Sequence, residues 1–423
     1  MPRFALNIAR TSLNIAKTLL LASGLLLLVG LERSAASDWP EFRGPGAASI
    51  YSADDLPVDF DVKTGKNVAW QAPLPGKGPS SPIVVAGRVI VTAASGPRQD
   101  RLHVLCFETS TGKLLWRRQF WATGSTVCNS FGGVAAPTPA SDGRRVFALF
   151  SSSDMVCLDL DGNLLWYRGL GYESPNTRND VGMASSPLVV GPETVVVQLE
   201  NLGESFAVGL DAATGIDRWR IERPRGSIWS SPIPLRGPTP AEDLVLMHSR
   251  QHLTAHEAST GKQVWQYEAF CHTIASAVVL GDRVYLPAIG LHALRYDGRT
   301  RTVERLWYDD RLRSDNCSPV VAGNRCYVIK PPNILMCADA TDGRTLWQMR
   351  LKGPFWATPL LAGERLYCVN YDGLVQVVQL GEQGKLLSSC RLEPGVLASP
   401  AAADGALYFR TNSTLWKISG GSQ

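Results

Sequence analysis

Glu108-Thr-Ser-Thr-Gly-Lys-Leu-Leu-Trp116 decides how this chain is read, because the same pattern returns at intervals. Close copies are Asp211-Ala-Ala-Thr-Gly-Ile-Asp-Arg-Trp219, Glu257-Ala-Ser-Thr-Gly-Lys-Gln-Val-Trp265 and Asp339-Ala-Thr-Asp-Gly-Arg-Thr-Leu-Trp347. Asp159-Leu-Asp-Gly-Asn-Leu-Leu-Trp166 is one residue shorter, and Tyr296-Asp-Gly precedes Trp307 at looser spacing. An early copy, Thr64-Gly-Lys-Asn-Val-Ala-Trp70, opens the series, and a degraded one, Gly384-Lys-Leu-Leu-Ser388, carries Ser where Trp is expected. Successive aromatic positions stand 40 to 53 residues apart. That is the period of a four-stranded propeller blade with a few loop insertions.

Two further elements recur in phase. A small residue before Pro starts each unit: Ser81-Pro82, Ala136-Pro137, Ser186-Pro187, Ser231-Pro232, Ser318-Pro319, Thr358-Pro359 and Ser399-Pro400, with Ser276-Ala277 in the fifth. A Gly turn then feeds an apolar run, as in Gly281-Asp-Arg-Val-Tyr and Gly363-Glu-Arg-Leu-Tyr. Each unit reads as strand A from the Pro, strand B after a turn, strand C ending at Asp or Glu, and strand D carrying the Trp. Pro at the start of a strand loses no ladder bond. Asp-Gly supplies the positive φ and the local hydrogen bonds that a tight C–D turn needs. The Trp is a large wedge for the gap between splaying blades, so Trp70, Trp116, Trp166, Trp219, Trp265, Trp307 and Trp347 are expected to be structural. The last unit stops after strand C, at Leu415-Trp-Lys-Ile418, while Asn67 to Leu74 offers a lone strand D. Pairing the two leaves no free sheet edge at the seam. The expected fold is all-β: an eight-bladed propeller of four-stranded antiparallel blades, closed by its own ends.

Composition agrees and excludes other classes. The 39 Gly and 27 Pro punctuate short Val-, Leu- and Tyr-rich runs, the signature of strands joined by tight turns. A net charge of +4 with scattered Lys and Arg gives no basic stripe, so no nucleic-acid partner is expected. No Gly-x-Ser-x-Gly elbow, His-Glu-x-x-His or P-loop occurs, and no catalytic residue is nominated.

Residues 1–36 have the layout of a secretory signal: Arg3, Arg10 and Lys17, an apolar stretch of 14 residues from Thr18 to Leu31, then Ser34, Ala35 and Ala36. The stretch is short of the ~20 residues that span a bilayer. With no Cys near the cleavage region, the expectation is a Sec-type signal without a lipid anchor, no stable membrane insertion after cleavage, and a periplasmic or extracellular protein. Residues 37–59 are then an extended N-terminal segment, 60–419 the propeller and 420–423 a tail. Nine Cys follow, an odd number without CxxC spacing, which argues against structural zinc. Cys326 and Cys337 flank Pro331-Pro332-Asn333 almost symmetrically and are expected to face each other, where oxidising surroundings would permit a disulfide.

The Asp-x-x-x-Gly-x-x-x-Trp pattern, from about residue 60 to 419, resembles the repeat of the pyrroloquinoline-quinone (PQQ)-like propellers, among them the quinoprotein alcohol dehydrogenases and the BamB-type outer-membrane assembly propeller. Asp38-Trp-Pro-Glu-Phe-Arg-Gly-Pro45 is similar to the opening of secreted bacterial members. The resemblance implies a channel mouth that, in the enzymes, holds the quinone stacked on a Trp, a Ca²⁺ and a carboxylate base. The adjacent-Cys pair of the alcohol dehydrogenases and a CxxCH haem site are absent here.

Topology puts the D–A and B–C connections at that mouth. Asn179, Asp180, Trp229, His272, Asp315, Asn316 and Trp356 lie on the first set; Glu200, Asn201, Arg250, His252, Lys330, Asn370, Tyr371 and Asp372 lie on the second. Glu200, Asn201 and Asp372 are the candidate Ca²⁺ ligands, since Ca²⁺ takes oxygen donors. Arg250 and Lys330 are candidates for an anionic quinone or sugar acid, and Trp229 and Trp356 for stacking on a ring. The reading this supports is a non-catalytic binding or scaffold propeller for a protein or glycan partner in the cell envelope. Its alternatives are a PQQ- and Ca-dependent alcohol or sugar dehydrogenase with a reduced site, and a BamB-like assembly factor.

Overall fold

The computed structural model describes residues 38–178 and 180–420; the signal reading and Asn179 lie outside the described residues. The described residues form eight sheets arranged as the blades of one propeller, each of four antiparallel strands, one of them extended by the parallel strand Ile50–Tyr51, with a single one-turn α-helix, Leu170–Glu173. Numbered in chain order from the blade that starts at Ser81, blade 3 is typical: Leu188–Val190, Thr194–Leu199, Phe206–Asp211 and Asp217–Glu222 are its strands A to D. The ends close the ring as expected. Val68–Pro73 pairs antiparallel with Thr414–Ser419, supplying strand D to a blade whose other strands come from the C-terminus.

The Trp wedges are buried, between 7 and 9 % exposed. Each D strand carries a bulge at the residue before its aromatic position, as where Gly209 pairs with Trp219 and Leu210 with Asp217. A bulge adds local twist and re-aims the side chain beside it. The indole then lies under the C–D turn of the next blade. Nε1 of Trp116 donates to Leu160 O, Trp166 to Ala212 O, Trp219 to Ala258 O and Trp307 to Ala340 O, at 2.9–3.1 Å. The motif glycine rests on the ring: a Cβ at Gly112, Gly162, Gly261 or Gly343 would come within 2.6 Å of the preceding blade's Trp. Gly in the motif therefore serves blade-to-blade contact as well as turn conformation.

Two blades depart from the pattern. Trp265 faces the irregular Tyr296-Asp-Gly turn, packs against Tyr296 at 6.2 Å, and its Nε1 finds no partner among the described residues. Ser388 occupies a wedge position opposite Val377. There the N-terminal segment fills the gap: Leu56 and Phe60 are buried beside Val377 and Cys390, Ser388 Oγ donates to Val58 O, and Phe60 N donates to Cys390 Sγ (3.2 Å).

The start of each unit also builds an inter-blade link. The backbone N–H of Ser81 donates to Thr138 Oγ1, Thr138 to Ser186 Oγ, Ser186 to Ser231, Ser231 to Ser276, Ser276 to Ser318, Ser318 to Thr358 and Thr358 to Ser399, all at 2.9–3.1 Å. The second member is Thr138, before Pro139, so the unit starts two residues later than Ala136-Pro137.

The cysteine expectation is corrected. All nine Cys are free. Cys326 pairs with Ala338 and Tyr327 with Cys337. Cys326 and Cys337 thus point to opposite faces of one blade, into different inter-blade cores, because side chains alternate along a strand.

Gly261 and Gly281 both have positive φ, 70° and 62°, but only Gly261 touches a ring, Trp219; nothing lies near a Cβ at Gly281. Gly261→Ala is expected to lower unfolding free energy by about 2–4 kcal/mol and Gly281→Ala by about 1–2 kcal/mol, read from denaturant midpoints. Equal losses would show that the ring contact contributes nothing.

Candidate functional site

Strand A is the innermost of each blade's four strands, with Ile50–Tyr51 added inside it in blade 7, so the residues preceding strand A converge on the propeller axis. A cavity of about 220 Å³ lies there. The hydroxyl-bearing residues Ser81, Thr138, Ser186, Ser231, Ser318, Thr358 and Ser399 line it, each being the last residue before its strand's Pro. Trp229, Trp356 and Phe131 add aromatic wall, and Asn129 and Asn316 add amides. Among the described residues no Asp, Glu, His, Lys or Arg lines it.

The aromatic side chains are held by the loops that carry them. Trp229 Nε1 donates to Gly182 O (2.8 Å), and its backbone N–H donates to Thr273 O (2.7 Å), tying it to the blades on either side. Phe131 stacks on Trp356, centroids 5.9 Å apart and planes 19° apart, and meets Tyr371 edge-on at 5.8 Å. Phe131 comes from the loop between Trp121 and Ala140, is 52 % exposed, and reaches across the mouth to blade 7.

The N-terminal segment reaches the same cavity through Phe42. It is fastened to inner strands around the ring. Trp39 bridges Val84, Pro40 O accepts from Ser141 N, Arg43 Nη2 donates to Ala277 O (2.8 Å), and Ile50–Tyr51 runs parallel to strand A of blade 7. Glu41 and Arg43 are buried here, and desolvation moves both toward their neutral forms. The Glu41 carboxyl is pushed up to about 7 and the Arg43 guanidinium down to about 9, each partly restrained by the other.

Of the positions expected at the mouth, the structure brings Trp229, Asn316 and Trp356 into the cavity, with Tyr371 joined through Phe131. The proposed metal set is not assembled. Glu200 is buried in a blade 3–blade 4 network, its Oε1 accepting from Arg223 Nε (2.7 Å), Gln198 Nε2 (2.8 Å) and Ser249 Oγ (2.9 Å). Asn201 uses its amide to hold its own turn and to tie it to the preceding D–A connection, accepting from the N–H groups of Gly203 and Arg178 and donating to Leu199 O and Glu204 O. Asp372 is exposed four blades away. Among the described residues no group of three or more His, Cys, Asp or Glu could hold a metal ion.

Arg250 and Lys330 also stay outside the cavity. Arg250 lies over the Phe270 ring at 5.9 Å, and Lys330 ends strand B of blade 6. His272 faces Asp315 at 3.8 Å, which in turn pairs with Arg313. Asn370 closes its own turn, accepting from Leu374 N. Phe131, Phe42 and the hydroxyl ring were not among the positions expected from the sequence; the signal for the hydroxyls is the Ser or Thr that precedes the Pro of strand A, whereas Phe131 and Phe42 lie outside the repeat.

The donor set does not fit a polyanionic quinone with Ca²⁺. Ca²⁺ takes six to eight oxygen ligands, commonly with carboxylates among them, and a quinone bearing carboxylates needs cations to offset its desolvation. Among the described residues the cavity lining offers neither carboxylates nor cations.

A family model described as outer membrane protein assembly factor BamB matches residues 46–204, 203–316 and 305–387. Among solved structures, BamB from Moraxella catarrhalis superposes with a TM-score of 0.60 at 16% identity, covering 84% of this chain and 98% of that one. A europium-containing methanol dehydrogenase gives 0.66 at 14%, covering 89% and 90%. The quinohemoprotein alcohol dehydrogenase from Comamonas testosteroni gives 0.66 at 14%, covering 92% and 81%. No curated protein matches.

Three buried histidines set an acid dependence. Burial pushes His248 down to about 3 and His256 and His103 down to about 4, with Arg223 adding to the first and Arg117 to the last. Unfolded imidazoles protonate near pH ~6.5. Between there and about pH 4 the unfolded chain holds more protons, so stability falls as pH falls. Glu41 acts in the opposite sense: its folded carboxyl holds a proton up to about 7, so it contributes stability at low pH that is lost as pH rises through that value. Glu41→Gln is expected to steepen the stability loss between pH 6.5 and 4.5 in denaturant titrations; an unchanged slope would count against a protonated Glu41.

Proposed function

We propose that this chain, which belongs to the PQQ-like propeller family whose model is described as outer membrane protein assembly factor BamB, is a non-catalytic binding propeller of the cell envelope. It works in the periplasm or outside the cell and presents its mouth to a protein or glycan partner. One observation carries this reading: the axial cavity is uncharged and walled by Trp229, Trp356 and Phe131. General acid–base chemistry needs a titratable group within hydrogen-bond reach of the substrate; among the described residues of the lining the one such side chain is Cys128, whose thiol burial pushes up, away from the thiolate. A rigid wall of aromatic rings with a few neutral hydrogen-bonding groups is instead what recognition pockets use for orientation and affinity.

The family match favours an envelope-assembly role within this reading, since the model's description is that of an assembly factor. The layout of residues 1–36, with basic, apolar and small-residue regions, supports export.

Purified protein mixed with the quinone and Ca²⁺ is expected to show no saturable change in quinone absorbance and no oxidation of alcohols or aldoses with an artificial electron acceptor. Reconstituted turnover that survives gel filtration would overturn the proposal. Pull-downs from envelope extracts should recover a partner that is lost with Trp356→Ala.

A further inference from the structure

We propose that the axial cavity is a binding site for the neutral terminal pyranose of a glycan. This rests on the binding-propeller reading and names its ligand class. Size comes first. Apolar cavities of about 150 Å³ hold benzene, so about 220 Å³ takes one substituted six-membered ring. A segment bonded to strands of blades 1, 2, 5 and 7 crosses the ring and contributes Phe42 to the lining. With room for one ring, the cavity takes the end residue of a glycan rather than a run of residues.

Chemistry narrows the class. With no charged side chain among the described residues of the lining, a carboxylate or ammonium entering the cavity would lose its water without a counter-ion, a cost of about several kcal/mol. The ligand is therefore neutral. The indoles of Trp229 and Trp356 and the ring of Phe131 offer flat apolar faces, which suit the C–H face of a pyranose. The hydroxyl ring offers the complementary edge. Each linked Oγ from Thr138 to Ser399 already accepts a backbone N–H, and none donates elsewhere among the described residues. A hydroxyl carries one proton and two lone pairs, so the protons of Thr138, Ser186, Ser231, Ser318, Thr358 and Ser399, which line the cavity, are available to sugar oxygens. Asn316 adds an acceptor: its Nδ2 donates to Phe355 O (3.4 Å), while Oδ1 has no protein partner among the described residues. A plain hydrocarbon would leave these groups unused, and an acidic sugar would meet no cation.

The test is titration of the full exported chain, without quinone or Ca²⁺, followed by calorimetry and tryptophan fluorescence. The ligands are the methyl pyranosides of glucose, galactose and mannose, N-acetylglucosamine, glucuronate and phenol. At least one neutral sugar is expected to bind saturably and perturb Trp emission, with glucuronate at least tenfold weaker. Trp356→Ala and Trp229→Ala should each weaken that sugar about tenfold, with circular dichroism and unfolding midpoints showing that the variants fold. Saturable binding of phenol with no neutral sugar binding would overturn the glycan assignment while leaving a binding propeller whose cavity takes a partner's aromatic side chain. Equal binding of glucuronate, or sugar binding indifferent to both Trp variants, would also overturn it. Quinone turnover in the separate assay above would instead remove the underlying reading.

Discussion

The contact between a strand-D indole and the C–D turn of the next blade is what the rest of the molecule depends on. A propeller has no continuous hydrogen-bonded sheet between blades, so cohesion rests on side-chain packing and on polar links that cross the gap. Here the indole buries its face under a glycine that leaves no room for a Cβ, and its N–H reaches a carbonyl of the neighbouring turn. Both halves of one motif meet only through different copies of it. The repeat therefore specifies the neighbour as well as the blade, as expected where each unit can bury its apolar face only against the next.

The same logic operates at the axis with different chemistry. A Ser or Thr before the strand-A Pro accepts a backbone N–H from the preceding blade, link after link from Ser81 to Ser399. The outer contact is apolar and the inner one polar, so the gap narrows toward an axis lined by hydroxyls. Where the outer wedge is lost, at Ser388, the segment that also reaches the cavity passes by and fills the space with Leu56 and Phe60. One N-terminal stretch thus supports the axial cavity, replaces a missing wedge and supplies the closing strand.

This architecture explains why the mouth carries little reactive chemistry. Polar side chains that look available in the sequence are consumed by loop geometry: Asn201 in its own turn, Glu200 by Arg223, Asn370 by Leu374 N. What remains at the axis is neutral and aromatic. A site of that character discriminates by shape and by the cost of desolvating charge.

Fold and closure were legible in the sequence because they rest on short-range regularities: Pro, Gly turn and Trp at a constant phase, and a last unit lacking a strand that the first supplies. The wedge role of the seven Trp followed from their size and spacing alone. The site was legible only in part. Trp229 and Trp356 were placed at the mouth by topology, but whether Glu200 and Asp372 share a site depends on which blades face each other, and blades 3 and 7 stand on opposite sides of the ring. Cys326 and Cys337 looked symmetrical about a turn, yet a register offset of one residue sends them to opposite faces. Phe131 and Phe42 belong to segments outside the repeat, where no periodicity constrains position. The sequence by itself determined the blade, its count and its closure, since those depend on neighbours along a repeating chain. Only the tertiary structure decided what meets at the axis, because that depends on non-repeating loops crossing between blades distant in sequence.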